Sequence, residues 1–461
     1  MSDQSKKDEV VSLLAGAAKT DITPPLGTFI NGDFVSHFAT YIHDNLYAKA
    51  VVLQQGKITI ALVVVDICVL PKELVDEIKM LITKDTDILP QYILISSTHT
   101  HAAGSVASVY LAAPDLLYMK KLPALIAQAV KGAQQHLVPA RVAFGSVDVP
   151  EHVRCRRYFL QDECKPANPV NGKIDKVKTN PFGFEEQIVK SVAETDPQVC
   201  FMVIQDTTGN WMSLLANYSL HYVGDWDNGT ISADYFGEFS RQIQQKLDAT
   251  EDFVGIMSNG TSGDINIWDF QHTGNYPAGN FQKSAFIGSD IAEKVFRALE
   301  NIQWEQTPEI KVAYEELLVT LRKPGEEELQ MAKTIIAESH YENLKTDTQG
   351  LRNMYAREQV LLNEFPDQLP FPLQAIKIGT AIIGAMGGEI FAETGRWLKA
   401  NAACENYFTI GLANGNLGYV PPAHEMESGG YETWRSRASK LELNAEEKLK
   451  NKMLELIQKL D

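Results

Sequence analysis

The sequence predicts an α/β fold of mixed β-sheets flanked by helices, on three observations. Short β-branched runs alternate with segments of helical periodicity along most of the chain. Several runs come in close pairs separated by turn residues, which favours a mixed sheet over a purely parallel one. Apolar residues make up 44% of the 461 and charged residues 22%, the balance of a chain with a full core.

Residues 1–11 are polar and read as a frayed end. Residues 50–53 and 58–65 read as paired strands turning at Gln55-Gly56. The run 71–84 is helical, with Pro71 suited to a first turn. A buried strand at 92–96, a helix at 116–136 and a strand at 141–144 follow. Strands 199–205 and 211–218 pair around Thr208-Gly209-Asn210, and helix 235–247, strand 253–257, helix 286–301 and strand 311–321 come next. Residues 325–363 are charged and helix-rich, an insert. Strands at 375–383 and 407–411 flank a helix at 393–403, and an amphipathic helix at 444–459 closes the chain. The expected organisation is one domain over 12–440, interrupted by the helical insert, with the terminal segment 441–461 packed on it.

A net charge of -17 argues against nucleic acid as partner, since phosphate binding needs clustered Lys and Arg. The first residues hold no apolar export segment, and no apolar run reaches the roughly 18 residues of a spanning helix, so a cytoplasmic location is expected. Cys68, Cys155, Cys164, Cys200 and Cys404 form no CxxC pair and read as reduced thiols, not zinc ligands.

Five segments carry chemistry. Ser96-Ser97-Thr98-His99-Thr100-His101 follows directly on a buried strand, where α/β sheets gather ligands. On an extended chain His99 and His101 share a face, and neutral imidazole is the commonest metal ligand near pH 7; two ordinary loop histidines are the alternative. Asn217-Tyr218-Ser219-Leu220-His221 ends another strand and supplies a third imidazole, before a helix start at Ser232 or Asp234. Ser258-Asn259-Gly260-Thr261-Ser262-Gly263-Asp264-Ile265-Asn266 is a small-residue loop, either an anion cradle of exposed N–H groups or a plain tight turn. Met386-Gly387-Gly388-Glu389 offers a carboxylate at a strand end. Gly418-Tyr419-Val420-Pro421, with Tyr431-Glu432 beyond, closes the set. Two histidines and a carboxylate form a known catalytic zinc pattern with an open position. GxSxG, HExxH and GxxxxGK[ST] are absent from the sequence, and the three N-x-[ST] tripeptides carry no weight without an export signal.

In this order, from about residue 14 to 435, these segments resemble the neutral/alkaline non-lysosomal ceramidase family. Thr98-His99-Thr100-His101 is the most specific match, and Ala15-Gly16-Ala17-Ala18-Lys19-Thr20-Asp21-Ile22-Thr23-Pro24, Leu46-Tyr47-Ala48-Lys49-Ala50 and Val65-Asp66 agree with it. The resemblance implies a ceramidase-like catalytic domain, without that family's C-terminal immunoglobulin-like domain. It implies Zn2+ held by His99, His221, Glu389 and Tyr419. His101, Arg156 and Tyr431 would face the polar head of a small-molecule substrate, with the backbone at Gly32 close to it. Asn266 stands where the family has a catalytic-loop serine and is expected to bind substrate, and Ala102-Ala103-Gly104 replaces its Ser-Gly-Pro. The expected reaction is therefore zinc-dependent hydrolysis of an amide other than ceramide. Ester or lactone hydrolysis, and a non-catalytic metal-binding homologue, are the alternatives. Asp66 or Asp234 is expected to hydrogen-bond the ligand histidines.

Overall fold

The computed structural model describes residues 12–272, 274, 276–339 and 347–460; the polar end 1–11 lies outside them. Eight strands, β1 (Leu14–Asp21), β2 (Tyr47–Gln55), β3 (Ile58–Val65), β4 (Ile93–Ser97), β5 (Val138–Asp148), β6 (Gln198–Asp206), β7 (Trp211–Tyr218) and β8 (Val254–Asn259), form one sheet in the order β8-β7-β6-β5-β1-β2-β3-β4. Four more, β9 (Ile310–Thr320), β10 (Gln368–Ile378), β11 (Ala381–Met386) and β12 (Asn406–Ile410), form a second sheet in sequential order. Three neighbour pairs are parallel, β3/β4, β7/β8 and β11/β12, and the other pairings within these two sheets are antiparallel.

The halves of the larger sheet join through two residue pairs alone, Leu14↔Pro139 and Ala15↔Val138. Each half and the smaller sheet turn one face onto a common core. Val51, Leu62 and Leu94 come from one half, Val142, Met202 and Ile256 from the other, and Ile376, Ile383 and Phe408 from the second sheet. Alternation on a strand puts the opposite residues outward, where helices cover them. Helix α1 (Lys72–Thr86) buries Leu74, Val75, Ile78 and Ile82, three or four apart, with α2 (Leu116–Gln135) against Val52, Val63 and Ile95. Asp115 caps α2, accepting from the Leu117 and Tyr118 N–H groups. Helices α3 (Asp234–Lys246) and α4 (Gln282–Ala298) cover Phe201, Leu214 and Ala216. The insert supplies α5 (Glu326–Ser339) and α6 (Thr348–Asn363). Helix α7 (Ala392–Asn401) follows β11, and α8 (Ala423–Ser428) is a short helix near the site. Helix α9 (Ala445–Gln458) places Leu449, Met453 and Ile457 against Leu373, Ala375 and Ile382. Each such large aliphatic side chain, fully buried, contributes about 1.5–3 kcal/mol.

Most expected elements are present, but the run read as one strand at 375–383 is a hairpin. Gly379, at φ +57°, takes the left-handed conformation that turns β10 into β11. The apolar runs on either side of it disguise the turn. Strand β5 extends well beyond 141–144 at both ends, held by its ladder to β6. Among the described residues, no helix is long and apolar enough to cross a membrane.

Candidate metal centre

The carboxyl ends of the three parallel pairs meet and are tied together by backbone hydrogen bonds. Ser97 N–H donates to Leu412 O (3.3 Å), Asn414 N–H to Ile95 O (2.7 Å), Gly411 N–H to Asn259 O (3.0 Å), and Gly263 N–H to Ile390 O (2.8 Å). Side chains leaving each strand end therefore point into one volume.

His99 follows β4. Its φ is +73°, a left-handed conformation unusual for a residue with a Cβ. The HxH pair is thus not extended, as expected, but brought together by this turn, ring centroids 4.8 Å apart. The His99 Nδ1 lies 2.8 Å from Cys68 O. A carbonyl only accepts, so Nδ1 carries the proton and Nε2 keeps its lone pair. His221, after β7, repeats the device with Nδ1 3.1 Å from Ser262 O. Backbone carbonyls, not Asp66 or Asp234, orient the two rings. Asp66 instead accepts from Tyr47 N–H (2.9 Å) and Lys49 (3.2 Å), and Asp234 from the Val223 and Tyr235 N–H groups. The glycine-rich loop after β8 spends four of its N–H groups within the protein. Gly260 N–H donates to Tyr218 O, Thr261 N–H to Ser219 Oγ, Gly263 N–H to Ile390 O and Ile265 N–H to Ser262 O. The loop serves as the mount for His221.

Glu389 and Tyr419 meet because a two-residue parallel bridge pairs Glu389 with Tyr419 and Ile390 with Val420. His99, His221 and Glu389 each offer a donor atom, all within 4.8 Å of one another, and His99 Nε2 is 3.7 Å from Glu389 Oε2. Tetrahedral zinc with bonds of about 2.0–2.1 Å separates its ligands by about 3.3 Å, so these three donors would need a small inward shift to share one ion. Glu389 Oε2 is buried and has no hydrogen-bond partner, a costly state that a cation relieves. Burial, then Arg156 and His99, holds His221 well below the usual histidine value. Burial, then His99 and Arg156, does the same for His101. Neutral imidazole is the form a metal needs. Burial pushes the Glu389 carboxyl up, opposed by His99, Arg156 and the Tyr419 hydroxyl.

No family model and no curated protein matches this chain. Solved structures do, among them two ceramidases. Neutral ceramidase from Pseudomonas aeruginosa superposes with a TM-score of 0.70 at 16% identity, covering 98% of this chain and 74% of that one. A ceramidase complexed with C2 gives 0.72 at 15% identity, covering 98% and 75%. The fold is that of the neutral ceramidases. On this ceramidase fold, segments anticipated from the sequence as one site, spread from residue 99 to residue 419, do come together.

Around the three donors, His101 places Nε2 3.3 Å from His99 Nε2 and stacks on Tyr222 at 3.6 Å. Gly32, at φ +140°, lies so close that a Cβ there would stand 2.5 Å from the His101 ring. Gly32→Ala is therefore expected to displace His101, cutting turnover about 10- to 100-fold while leaving bound metal unchanged, read by steady-state kinetics beside elemental analysis. Arg156 donates from Nη2 to the Tyr419 hydroxyl (3.1 Å) and to Gly263 O (2.7 Å), and its Nη1 is 3.3 Å from His221 Nε2. The adjacent Arg157 is fully buried and points away, into Glu425 (2.9 Å) and Glu432 (2.7 Å). Glu432 also holds Arg156 Nε at 2.7 Å. Burial alone would raise the Glu432 carboxyl, but Arg156 and Arg157 outweigh it and hold it below the ordinary range. Two consecutive arginines in a buried segment call for such carboxylates, and that was the available signal for Glu432.

A cavity of about 390 Å³ opens onto His99, His101 and Glu389, walled by Val69, Val109, Leu369, Leu417 and Tyr431. Tyr431 packs edge-on against Tyr419, centroids 5.7 Å apart. Asn266 is turned into the protein. Its Nδ2 donates to Asn180 Oδ1 (2.6 Å), its Oδ1 accepts from Trp268 N–H (3.0 Å), and it is absent from the cavity wall.

Proposed function

We propose that the chain is a zinc-dependent hydrolase that splits an amide bond with water, giving a carboxylate and an amine. The observation that carries this is the convergence of two oriented imidazoles and an unpartnered buried carboxylate oxygen, beside a cavity that His99 and Glu389 line. His99, His221 and Glu389 would hold the ion, with Tyr419 as fourth candidate. Bound there, zinc supplies Lewis acidity and lowers the pKa of a water toward about 7.

The other residues act on the two ends of the scissile bond. Water oxygen bonds to the acyl carbon, the C–N bond breaks, and the leaving nitrogen takes up a proton. His101, exposed to the cavity and braced by Tyr222 and Gly32, is placed to hold that proton at Nε2 and pass it to the nitrogen. Tyr431 lines the same cavity, and burial keeps its phenol protonated, so its O–H can donate to the carbonyl oxygen as charge builds there. Arg156 has spent Nε and Nη2 on protein partners. Its part is to fix the Tyr419 hydroxyl and keep His221 neutral, not to grip substrate. Asn266, expected to bind substrate, lies off the cavity wall and is held by Asn180 and Trp268.

His101→Ala is expected to retain a full equivalent of zinc and lose about 10²–10⁴ of its turnover, the usual worth of a placed general acid. The test of the whole reading is a panel of N-acyl amides and matched esters, assayed with and without a chelator. Turnover that survives complete metal removal overturns it.

A further inference from the structure

Among the described residues lining the cavity beside the candidate metal centre, one ammonium or guanidinium has no ion-pair partner within 4.0 Å. Lys440 is 6% exposed and lines the same cavity as His99, Glu389 and Tyr419. Its Nζ donates to Leu417 O (2.6 Å) and Arg437 O (2.8 Å). An ammonium has three donors, so one is left over. Among the described residues, no carboxylate oxygen lies within 4.0 Å of it, whereas the other cations on the wall are paired. Lys72 meets Asp76 at 2.7 Å and Glu316 at 3.0 Å, and Arg437 meets Glu358 at 2.7 Å. Two carbonyl dipoles do not replace the missing negative charge, and a buried cation without an anion is costly. Glu389 is no substitute, because on the proposed reading its charge would be committed to the metal. Glu358, Glu73 and Glu389 act on Nζ only through space, without forming an ion pair with it.

We propose that Lys440 receives an anionic group, a carboxylate, on the substrate, so that the site takes acidic N-acyl compounds in preference to neutral lipid amides. This rests on the amide-hydrolase reading for its turnover and on the cavity alone for binding. The apolar wall of Val69, Val109, Leu369 and Leu417 suits the acyl portion, and the ammonium suits the acid.

The test compares zinc-loaded full-length protein on N-dodecanoylglycine, its carboxamide N-dodecanoylglycinamide, and a ceramide of the same acyl length. The acid is expected to be the best of the three. Lys440→Gln keeps a donor for the carbonyls but removes the charge. It should reduce the acid-to-carboxamide ratio of kcat/KM by about 10- to 100-fold, mainly through KM, the worth of a hydrogen bond to a charged group. Lys440→Arg should keep most of the preference, which separates charge from a merely structural role. A wild-type preference for ceramide or the carboxamide overturns the proposal and leaves the hydrolase reading standing. So does an equal loss on all three substrates in Lys440→Gln. If no amide is cleaved, the hydrolase reading fails on its own. Calorimetric titration with N-dodecanoylglycine then decides: weaker binding by Lys440→Gln upholds the anionic site, and equal or absent binding removes it.

Discussion

His221→Ala and His99→Ala are each expected to lose bound zinc and catalytic turnover in one step. The two rings have their Nδ1 protons committed to the carbonyls of Ser262 and Cys68, so each can offer only Nε2 to the centre. Removing either ring leaves one imidazole and Glu389 as the strong donors, too few for a closed shell. Stability should fall as well. A ligand that binds only the folded state stabilises it by about 4 kcal/mol at about 1,000-fold excess over Kd, and that linkage vanishes with the site. Elemental analysis after gel filtration, turnover, and thermal unfolding with and without added zinc report the three effects. In the wild type, zinc should raise Tm; in the variants the shift should be absent. A His221→Ala protein that keeps a full metal equivalent and normal turnover would remove His221 from the centre.

The largest purely structural effect is expected at Arg157. Its guanidinium is fully buried and bonds Glu425 through Nε and Nη2, Glu432 through Nη1, and the Gly429 carbonyl. Arg156, Glu432, Arg157 and Glu425 form an alternating chain of balanced charge. Arg157→Met leaves two buried carboxylates facing one guanidinium, a loss of about 3–5 kcal/mol for breaking such a pair. Arg157→Lys should recover only part, because a point charge cannot reproduce the fork that reaches both carboxylates. The effect should spread to the site. With Glu432 released from Arg157, Arg156 loses its fixed direction toward Tyr419 and His221. Chemical denaturation checks the stability, and a change below about 1 kcal/mol would mean that the network contributes only what an exposed pair does.

The sequence announced the strands and the candidate metal donors for different reasons. Ile58–Val65 and Ile93–Ser97 are apolar runs bounded by turn residues, and periodicity finds them directly. His99, His101, His221 and Glu389 stand out because each lies at or just beyond a strand end, whereas Tyr419 enters the set only through the family resemblance. The groups that aim them were not. The Cys68 and Ser262 contributions are backbone carbonyls, which carry no residue-type signal, so side-chain carboxylates were expected in their place. Lys440 lay beyond the last motif as an ordinary charged residue, and only three-dimensional packing reveals that it is buried. The hairpin at Gly379 was hidden for a related reason, since one glycine between two apolar runs also suits a continuous strand.

The backbone bonds joining the three strand ends also fix an order of events in biosynthesis. No single sheet owns more than part of the donor set, so a chain with one sheet formed and the others open has no competent chelating site. On the proposed reading an ion would enter only after the sheets have docked, which would make metal capture a late step and its stoichiometry a measure of how much of a preparation has matured.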